Sequence, residues 1–172
     1  MGTLRFRKKH GDIFKVKISD DDVRYLQYVA DDINMLNGNL VRVFKRRYTE
    51  NDTPSPDEIV DDEIDFYCHV VLKWGVERGF WTKYGNSKDV GDLKKVFFKS
   101  YTEELSPAYP AFWSIWTIYK YTERRKLPRR FKDAYWGRLF QPATIVHKMK
   151  TGRFYDYENS VDGDDLKSQT NH

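Results

Sequence analysis

Short apolar runs that alternate with polar residues are the feature of this 172-residue chain that most limits how it can fold. Residues 11–18 place Phe14, Val16 and Ile18 on one side of an extended chain and two lysines on the other. Such a period of two predicts a half-buried strand.

The following segments extend this pattern. Residues 23–30 are rich in β-branched and aromatic side chains, which favours a second strand. A helix capped by Ser19 or Asp20 is the alternative there, because apolar residues also fall at helical spacing. Residues 40–48 predict a third strand, preceded by a turn at 37–39.

A proline-containing break at residues 53–58 interrupts the strand pattern, because proline disfavours both a helix interior and the centre of a sheet. Ser55 is expected to cap a short helix that begins at Pro56. Residues 66–74 and 80–84 then predict further strands, and residues 90–100 fit either type of structure.

The clearest strand is predicted for residues 113–121, where aromatic side chains alternate on both faces. Residues 142–150 predict a short helix with Gly152 as its C-terminal cap. The sum is an α+β fold of mainly antiparallel sheet with a few short helices. We expect residues 1–155 to form a single domain and residues 156–172 to form an acidic polar tail.

Composition excludes several classes of protein. Charged residues make up 33% and aromatic residues 16%, which argues against a membrane protein and against a disordered one. No apolar run has the length of a transmembrane helix, and no apolar signal segment is visible, so a cytoplasmic location is expected. Cys68 stands alone, which excludes an internal disulfide and a multi-cysteine zinc site.

Charge is segregated along the chain, although the net charge is only +4. Residues 50–65 carry eight acidic and no basic residues, whereas residues 120–132 carry seven basic residues against Glu123 alone. Because like charges repel one another, each block has to face solvent, a block of opposite charge or a binding partner. They therefore form either complementary faces of one molecule or a bipolar surface that steers a charged protein or nucleic acid.

Motifs for catalysis or cofactor binding are missing from the sequence. Cys68 and His69 are adjacent but would point to opposite faces of a strand, and apolar neighbours indicate a buried, inert thiol. The chain contains no nucleophile elbow, phosphate-binding loop, dinucleotide fingerprint or zinc-protease motif. Asp57, Asp61 and Asp65 share one helical face, but a dense acidic run gives that spacing anyway. We therefore expect no enzyme, no cofactor and no metal.

Nucleic-acid binding is the alternative function, because basic clusters interleaved with aromatic residues are typical of base-stacking platforms. The acidic block argues against it, since carboxylates repel a phosphate backbone. The candidate residues lie in one segment: Tyr119, Tyr121, Arg124, Arg125, Lys126, Arg129, Arg130 and Trp136.

Several stretches resemble the immunity protein 26 family, whose members are small bacterial proteins encoded beside polymorphic toxins. The resemblance is strongest in GDIFKV at 11–16, RYLQYV at 24–29 and LVRVF at 40–44. GFWTKYG at 79–85 and QPATIV at 141–146 fit the same outline loosely.

This resemblance implies an α+β protein without catalysis of its own, which binds and blocks a cognate toxin in the cytoplasm. Toxins that cleave nucleic acid have basic clefts, and an acidic run mimics the phosphates that such a cleft binds. Charge complementarity of this kind accelerates association. On this hypothesis the inhibitory surface consists of Asp57, Glu58, Asp61, Asp62 and Glu63.

Overall fold

In the computed structural model, which describes residues 6–155, ten strands form two sheets and three short α-helices pack beside them. The strands are β1 Asp12–Ser19, β2 Asp22–Asp32, β3 Gly38–Phe44, β4 Ile64–Val70, β5 Thr82–Asn86, β6 Phe98–Thr102, β7 Phe112–Thr117, β8 Lys120–Arg124, β9 Tyr135–Trp136 and β10 Leu139–Phe140. The helices are α1 Pro56–Val60, α2 Leu72–Glu77 and α3 Pro142–Thr151. The predicted acidic tail, residues 156–172, lies outside the described residues.

The larger sheet has the strand order β10-β4-β3-β2-β1-β5 and is antiparallel except where β10 runs parallel to β4. The predicted α+β class, dominated by antiparallel sheet, is confirmed. The strand predicted for residues 11–18 is β1, and the helix considered for residues 23–30 is wrong because β2 runs through them. Ladder pairing to neighbours on both sides overrides the helical spacing there.

One face of the larger sheet packs against α2 and α3. Alternate residues of the central strands, among them Phe14, Leu26 and Val41, meet Ile145 and Met149 of α3 in one buried cluster. Trp81 is also buried there, and it fits only because α2 has glycine at position 75: a Cβ at that position would lie 1.9 Å from the Trp81 ring.

The opposite face of the larger sheet is covered in two parts. Residues near one end of β2 and β3, including Tyr25 and Phe44, pack with Ile59 of α1. Residues near the other end of those strands, including Leu40, pack with Phe98 and Trp116 of the second sheet. Helix α1 and the second sheet therefore lie on the same face of the larger sheet, at different ends.

The second sheet has the strand order β8-β7-β6-β9. The prediction of a single strand over residues 113–121 is wrong, because β7 ends at Thr117 and the chain turns back into β8. Alternation did not reveal the turn, because aromatic side chains occupy both faces of the expected strand. Trp116 and Tyr121, which a single strand would place on opposite faces, pair across the hairpin and lie on the same face. The turn lacks glycine, proline and asparagine, and the Thr117 hydroxyl accepts a hydrogen bond from the Tyr119 N–H at 3.2 Å instead.

Two other predicted strands are shorter in the structure than in the prediction. The strand predicted over 66–74 ends at Val70, and α2 begins at Leu72, whose N–H donates to the Asn39 side chain. The strand predicted over 40–48 ends at Phe44. Residues 90–100 contain a 3-10 turn followed by β6.

Both helix predictions are confirmed. Ser55 caps α1 with Pro56 in its first position, and α3 ends at Gly152, which adopts a φ of 79°. Within residues 6–155, no helix has both the length and the apolar character needed to cross a bilayer.

Candidate functional site

The acidic segment is built around the start of α1. The Ser55 hydroxyl accepts a hydrogen bond from the Glu58 N–H at 3.2 Å, and the Glu58 carboxylate accepts one from the Ser55 N–H at 2.7 Å. Hydrogen bonding of the Glu58 carboxylate with the Ser55 backbone, and then with the Ser55 side chain, holds the pKa of Glu58 below its usual value. Glu58 is therefore exposed, but its carboxylate is already used in the capping box at the start of the helix.

The turn after α1 is tied to the basic cluster that follows β3. Asp62 accepts a hydrogen bond from the Arg46 N–H at 2.6 Å, and Glu63 forms an ion pair with Lys45 at 3.2 Å. The Tyr48 side chain, followed by the charges of Asp62 and Glu58, raises the pKa of Arg46. The acidic residues of 50–65 thus meet the basic residues Lys45 and Arg46 at this point, and not those of residues 120–132.

The flanking carboxylates of residues 50–65 are also paired. Glu50 lies 3.4 Å from the Lys15 ammonium, and Asp52 accepts hydrogen bonds from the N–H and hydroxyl of Thr49. Asp65 forms an ion pair at 2.8 Å with Arg24, whose side chain is almost fully buried. The partners of Glu50 and Asp65 come from β1 and β2, which sequence spacing alone did not reveal.

Two carboxylates remain available, those of Asp57 in α1 and of Asp61 directly after it. The Asp57 carboxylate has only a 3.4 Å hydrogen bond from the Ser87 hydroxyl, and the Asp61 carboxylate has no hydrogen bond or ion pair among residues 6–155. Their spacing of four residues puts them on one side of the helix, and both are exposed. Of the five predicted residues, Asp57 and Asp61 are therefore freest to contact a partner.

The structure divides the predicted stacking platform. Trp136 lies in β9, at the opposite edge of the second sheet from β8. The centre of its ring is 4.8 Å from the Lys99 ammonium and 5.9 Å from the Arg138 guanidinium. The Tyr121 hydroxyl is hydrogen-bonded to Ser114 and Glu123. The eight candidate residues do not form one aromatic surface for bases.

The basic residues of this segment are nevertheless free of ion pairs. Arg124 ends β8, Arg125 and Lys126 follow it, and Arg129 and Arg130 begin a 3-10 turn. All seven basic residues of 120–132 are exposed, and none forms an ion pair with a carboxylate in the described part of the chain. Within residues 6–155, this segment is therefore a run of seven cations without ion pairs, whereas Glu50, Glu63 and Asp65 of the acidic segment are paired.

An open groove lies beside these residues, with a volume of about 390 Å³. Its apolar wall includes Leu105, Tyr109 and Phe112. Its polar wall includes Arg124 and Arg125 together with the carboxylates Glu103 and Glu123. Leu105 is 81% exposed and Tyr109 is 70% exposed. The sequence did not reveal this groove, because its lining joins residues 102–112 with residues 123–125, which meet only in the folded sheet.

A buried polar triad connects the two sheets, and the sequence did not reveal it. One carboxylate oxygen of Asp32 lies 2.8 Å from His69 Nε2 and accepts a hydrogen bond from Trp116 Nε1, also at 2.8 Å. Burial raises the pKa of Asp32, but the hydrogen bonds from His69 and Trp116 outweigh it and leave the pKa below its usual value. His69 and Asp32 are fully buried, so the triad is a structural link and not an accessible catalytic site.

The prediction for the neighbouring cysteine is confirmed. Cys68 is completely buried in the core beneath α2 and α3, whereas His69 points to the opposite face of β4. Burial raises the pKa of the Cys68 thiol, which keeps it protonated. Within the described part of the chain, no group of three or more His, Cys, Asp or Glu side chains converges as metal ligands would.

A second buried polar group fixes the loop at 87–92, between α1 and the second sheet. The Arg42 guanidinium donates to the Gln27 side chain and to the Asp89 carbonyl, each at 2.7 Å. Burial lowers the pKa of Arg42. A side chain at Gly91 would meet Arg42 at 2.8 Å, so the loop lies closely over the guanidinium.

The family model for immunity protein 26 matches residues 9–110, which is more than half of the chain. The chain belongs to the immunity protein 26 family. No curated protein and no solved structure matches it. In this immunity protein 26 family member, the matched part contains β1 to β6, α1 and α2, whereas β7 to β10 and α3 lie outside it. The resemblance based on residues 11–44 and 79–85 falls within the match, and the patch at 141–146 falls outside it.

Proposed function

We propose that this protein binds and neutralises a cognate bacterial toxin in the cytoplasm, without catalysing a reaction of its own. The observation that carries the proposal is membership of an immunity protein family over residues 9–110. An inhibitor of this kind acts by covering a surface that the toxin needs, so its own requirement is a complementary, well-ordered surface.

The proposed inhibitory surface is the exposed side of α1 and the turn that follows it: Asp57, Glu58, Asp61, Asp62 and Glu63. Asp57 and Asp61 are the main residues of this surface, because the carboxylates of the other three form stronger hydrogen bonds or ion pairs within the chain. Their carboxylates take the place of phosphates in a basic cleft, which accelerates encounter at low salt.

The rigid seating of α1 supports this choice of surface. Ile59 is almost completely buried, and the Tyr84 hydroxyl donates to the Pro54 carbonyl at 2.7 Å just before the helix. Gly85 lies against Pro56, and a Cβ there would be only 2.9 Å from the proline ring. A surface held in this way loses little conformational entropy when a partner binds.

The direct test of function is rescue of growth in a bacterial host. The toxin domain encoded next to this chain's gene is expressed with and without the wild-type protein, and the complex is then isolated by size-exclusion chromatography. We expect restored growth and a stoichiometric complex. If the host is not rescued and no complex forms, the proposed function is wrong.

The site is tested separately with Asp57→Asn/Asp61→Asn. The matched control, Asp20→Asn/Asp21→Asn, removes the same charge from the exposed turn between β1 and β2. We expect the first variant to lower the association rate constant for the toxin about tenfold at low salt, with a smaller effect on dissociation. Equal association rates for both variants would exclude α1 as the inhibitory surface.

A further inference from the structure

Strand β8 is a free edge of the second sheet, hydrogen-bonded to β7 alone among the strands that the structure describes. The register pairs Thr117 with Lys120 across the two-residue turn, and antiparallel alternation then directs the N–H groups of Tyr121 and Glu123 away from β7. These outward groups can pair with an added strand.

The groove described above begins where β8 ends. Its lining includes Glu123, Arg124 and Arg125 from the end of β8, together with the loop that joins β6 to β7. That loop is closed by hydrogen bonds from the Leu105 N–H to the Tyr109 carbonyl at 3.1 Å and from the Tyr109 N–H to Ser106 at 2.8 Å. The loop thus presents apolar side chains to solvent from an ordered backbone.

The positive charge at this edge indicates what kind of segment could bind there. The acids of residues 50–65 have partners within the chain, except for Asp61, whereas the seven cations of residues 120–132 have none among the described carboxylates. Basic side chains on an edge strand also discourage unwanted strand pairing. That role does not account for the exposed Leu105 and Tyr109 in a groove beside them.

We propose that β8 accepts an extended acidic segment of a partner protein as an additional strand, with one apolar side chain of that segment in the groove. Backbone hydrogen bonds to β8 would supply affinity, and Arg124 and Arg125, at its end and just after it, would select acidic side chains. The partner's identity as the toxin rests on the proposed function, and this contact is separate from the one on α1.

The first test uses a fluorescent ten-residue peptide that alternates glutamate with threonine and has one central leucine; its control has lysine in place of glutamate. Binding is measured by fluorescence anisotropy to wild type, Glu123→Pro and Glu123→Ala. Proline removes an outward N–H without breaking the β7 ladder, whereas alanine keeps that N–H and removes the same carboxylate. Thermal melting establishes that both variants are folded.

We expect the glutamate peptide to bind wild type and Glu123→Ala similarly, and a folded Glu123→Pro variant about tenfold more weakly. We expect Arg124→Glu/Arg125→Glu to lose most of the binding, while Lys150→Glu/Arg153→Glu, on and just beyond α3, leaves it unchanged. Absence of peptide binding, or equal binding by the proline and alanine variants, would overturn strand addition.

A labelled single-stranded oligonucleotide is the competing probe. If it binds more tightly than the peptide and is insensitive to Glu123→Pro, the basic edge is a nucleic-acid surface and the proposal is wrong.

Binding of the toxin to wild type and to Glu123→Pro separates this inference from the proposed function. If the Glu123→Pro variant still restores growth and binds the toxin with unchanged affinity, strand addition by the toxin is wrong, whereas the proposed function stands. Failure of wild type to bind the toxin, with the peptide pattern intact, refutes the proposed function and supports the edge as a peptide site.

Discussion

The link between the sheets makes a quantitative prediction for Asp32→Asn. The carboxylate accepts three hydrogen bonds, from the Asn34 N–H at 3.0 Å and from His69 and Trp116 at 2.8 Å each. Asparagine is almost the same size, but it has only one acceptor oxygen. Its N–H₂ group takes the place of the other carboxylate oxygen and faces a hydrogen-bond donor, which is left without an acceptor. Bonds to a charged acceptor contribute about 1.5–3 kcal/mol each, and an unsatisfied buried donor costs about 1–3 kcal/mol. We therefore expect the free energy of unfolding to fall by about 2–4 kcal/mol.

Urea denaturation followed by tryptophan fluorescence at neutral pH measures this change. The neighbouring substitution Asp31→Asn is the control, because Asp31 is exposed and its ion pair with Lys8 lies at the surface. We expect the control to lose less than about 1 kcal/mol. If Asp32→Asn and Asp31→Asn have equal unfolding free energies, the triad does not contribute as reasoned.

The same carboxylate predicts how stability depends on pH. The pKa of Asp32 is lower in the folded protein than in the unfolded chain, so its contribution is complete above about pH 4 and is lost as the pH falls through the folded-state pKa. The difference in unfolding free energy between wild type and Asp32→Asn should therefore shrink below about pH 4. A difference that stays constant down to pH 2.5 would contradict an ionised Asp32.

Three further outcomes follow from the packing. Gly75→Ala should destabilise the protein by at least about 2 kcal/mol in thermal melts, since its Cβ overlaps Trp81; Gly79→Ala, which meets no neighbour, should cost about 1 kcal/mol from backbone strain. Ser55→Ala should cost about 1 kcal/mol by removing the cap of α1. Cys68 should react with a thiol reagent only at the rate of unfolding, so fast labelling of the native protein would show that its burial is wrong.

The sequence predicted the fold where the determining pattern is local. Alternation in residues 11–18 and the cap at Ser55 involve neighbouring residues, and both predictions were correct. The turn after Thr117 was missed because a hydroxyl takes the place of the usual turn residues. Local pattern also predicted that Cys68 and His69 point to opposite faces, but not what His69 contacts.

The candidate site was harder to predict, because its contacts join distant parts of the chain. Asp32 and Trp116 are 84 positions apart and meet only after the two sheets pack together. Likewise, Arg24 meets Asp65 across 41 positions through the strand order of the larger sheet. Charge blocks were visible in the sequence, but which of their members were already neutralised depended on that order.

The triad also bears on where this protein could be divided. Asp32 and His69 lie inside the region that the family model matches, whereas Trp116 and α3 lie outside it. A fragment that stops at residue 110 would leave Asp32 without its indole donor and would strip Ile145 and Met149 from the core. The limits of family similarity are thus not limits of autonomous folding, and an expressible minimal version of this protein must keep the chain at least through α3.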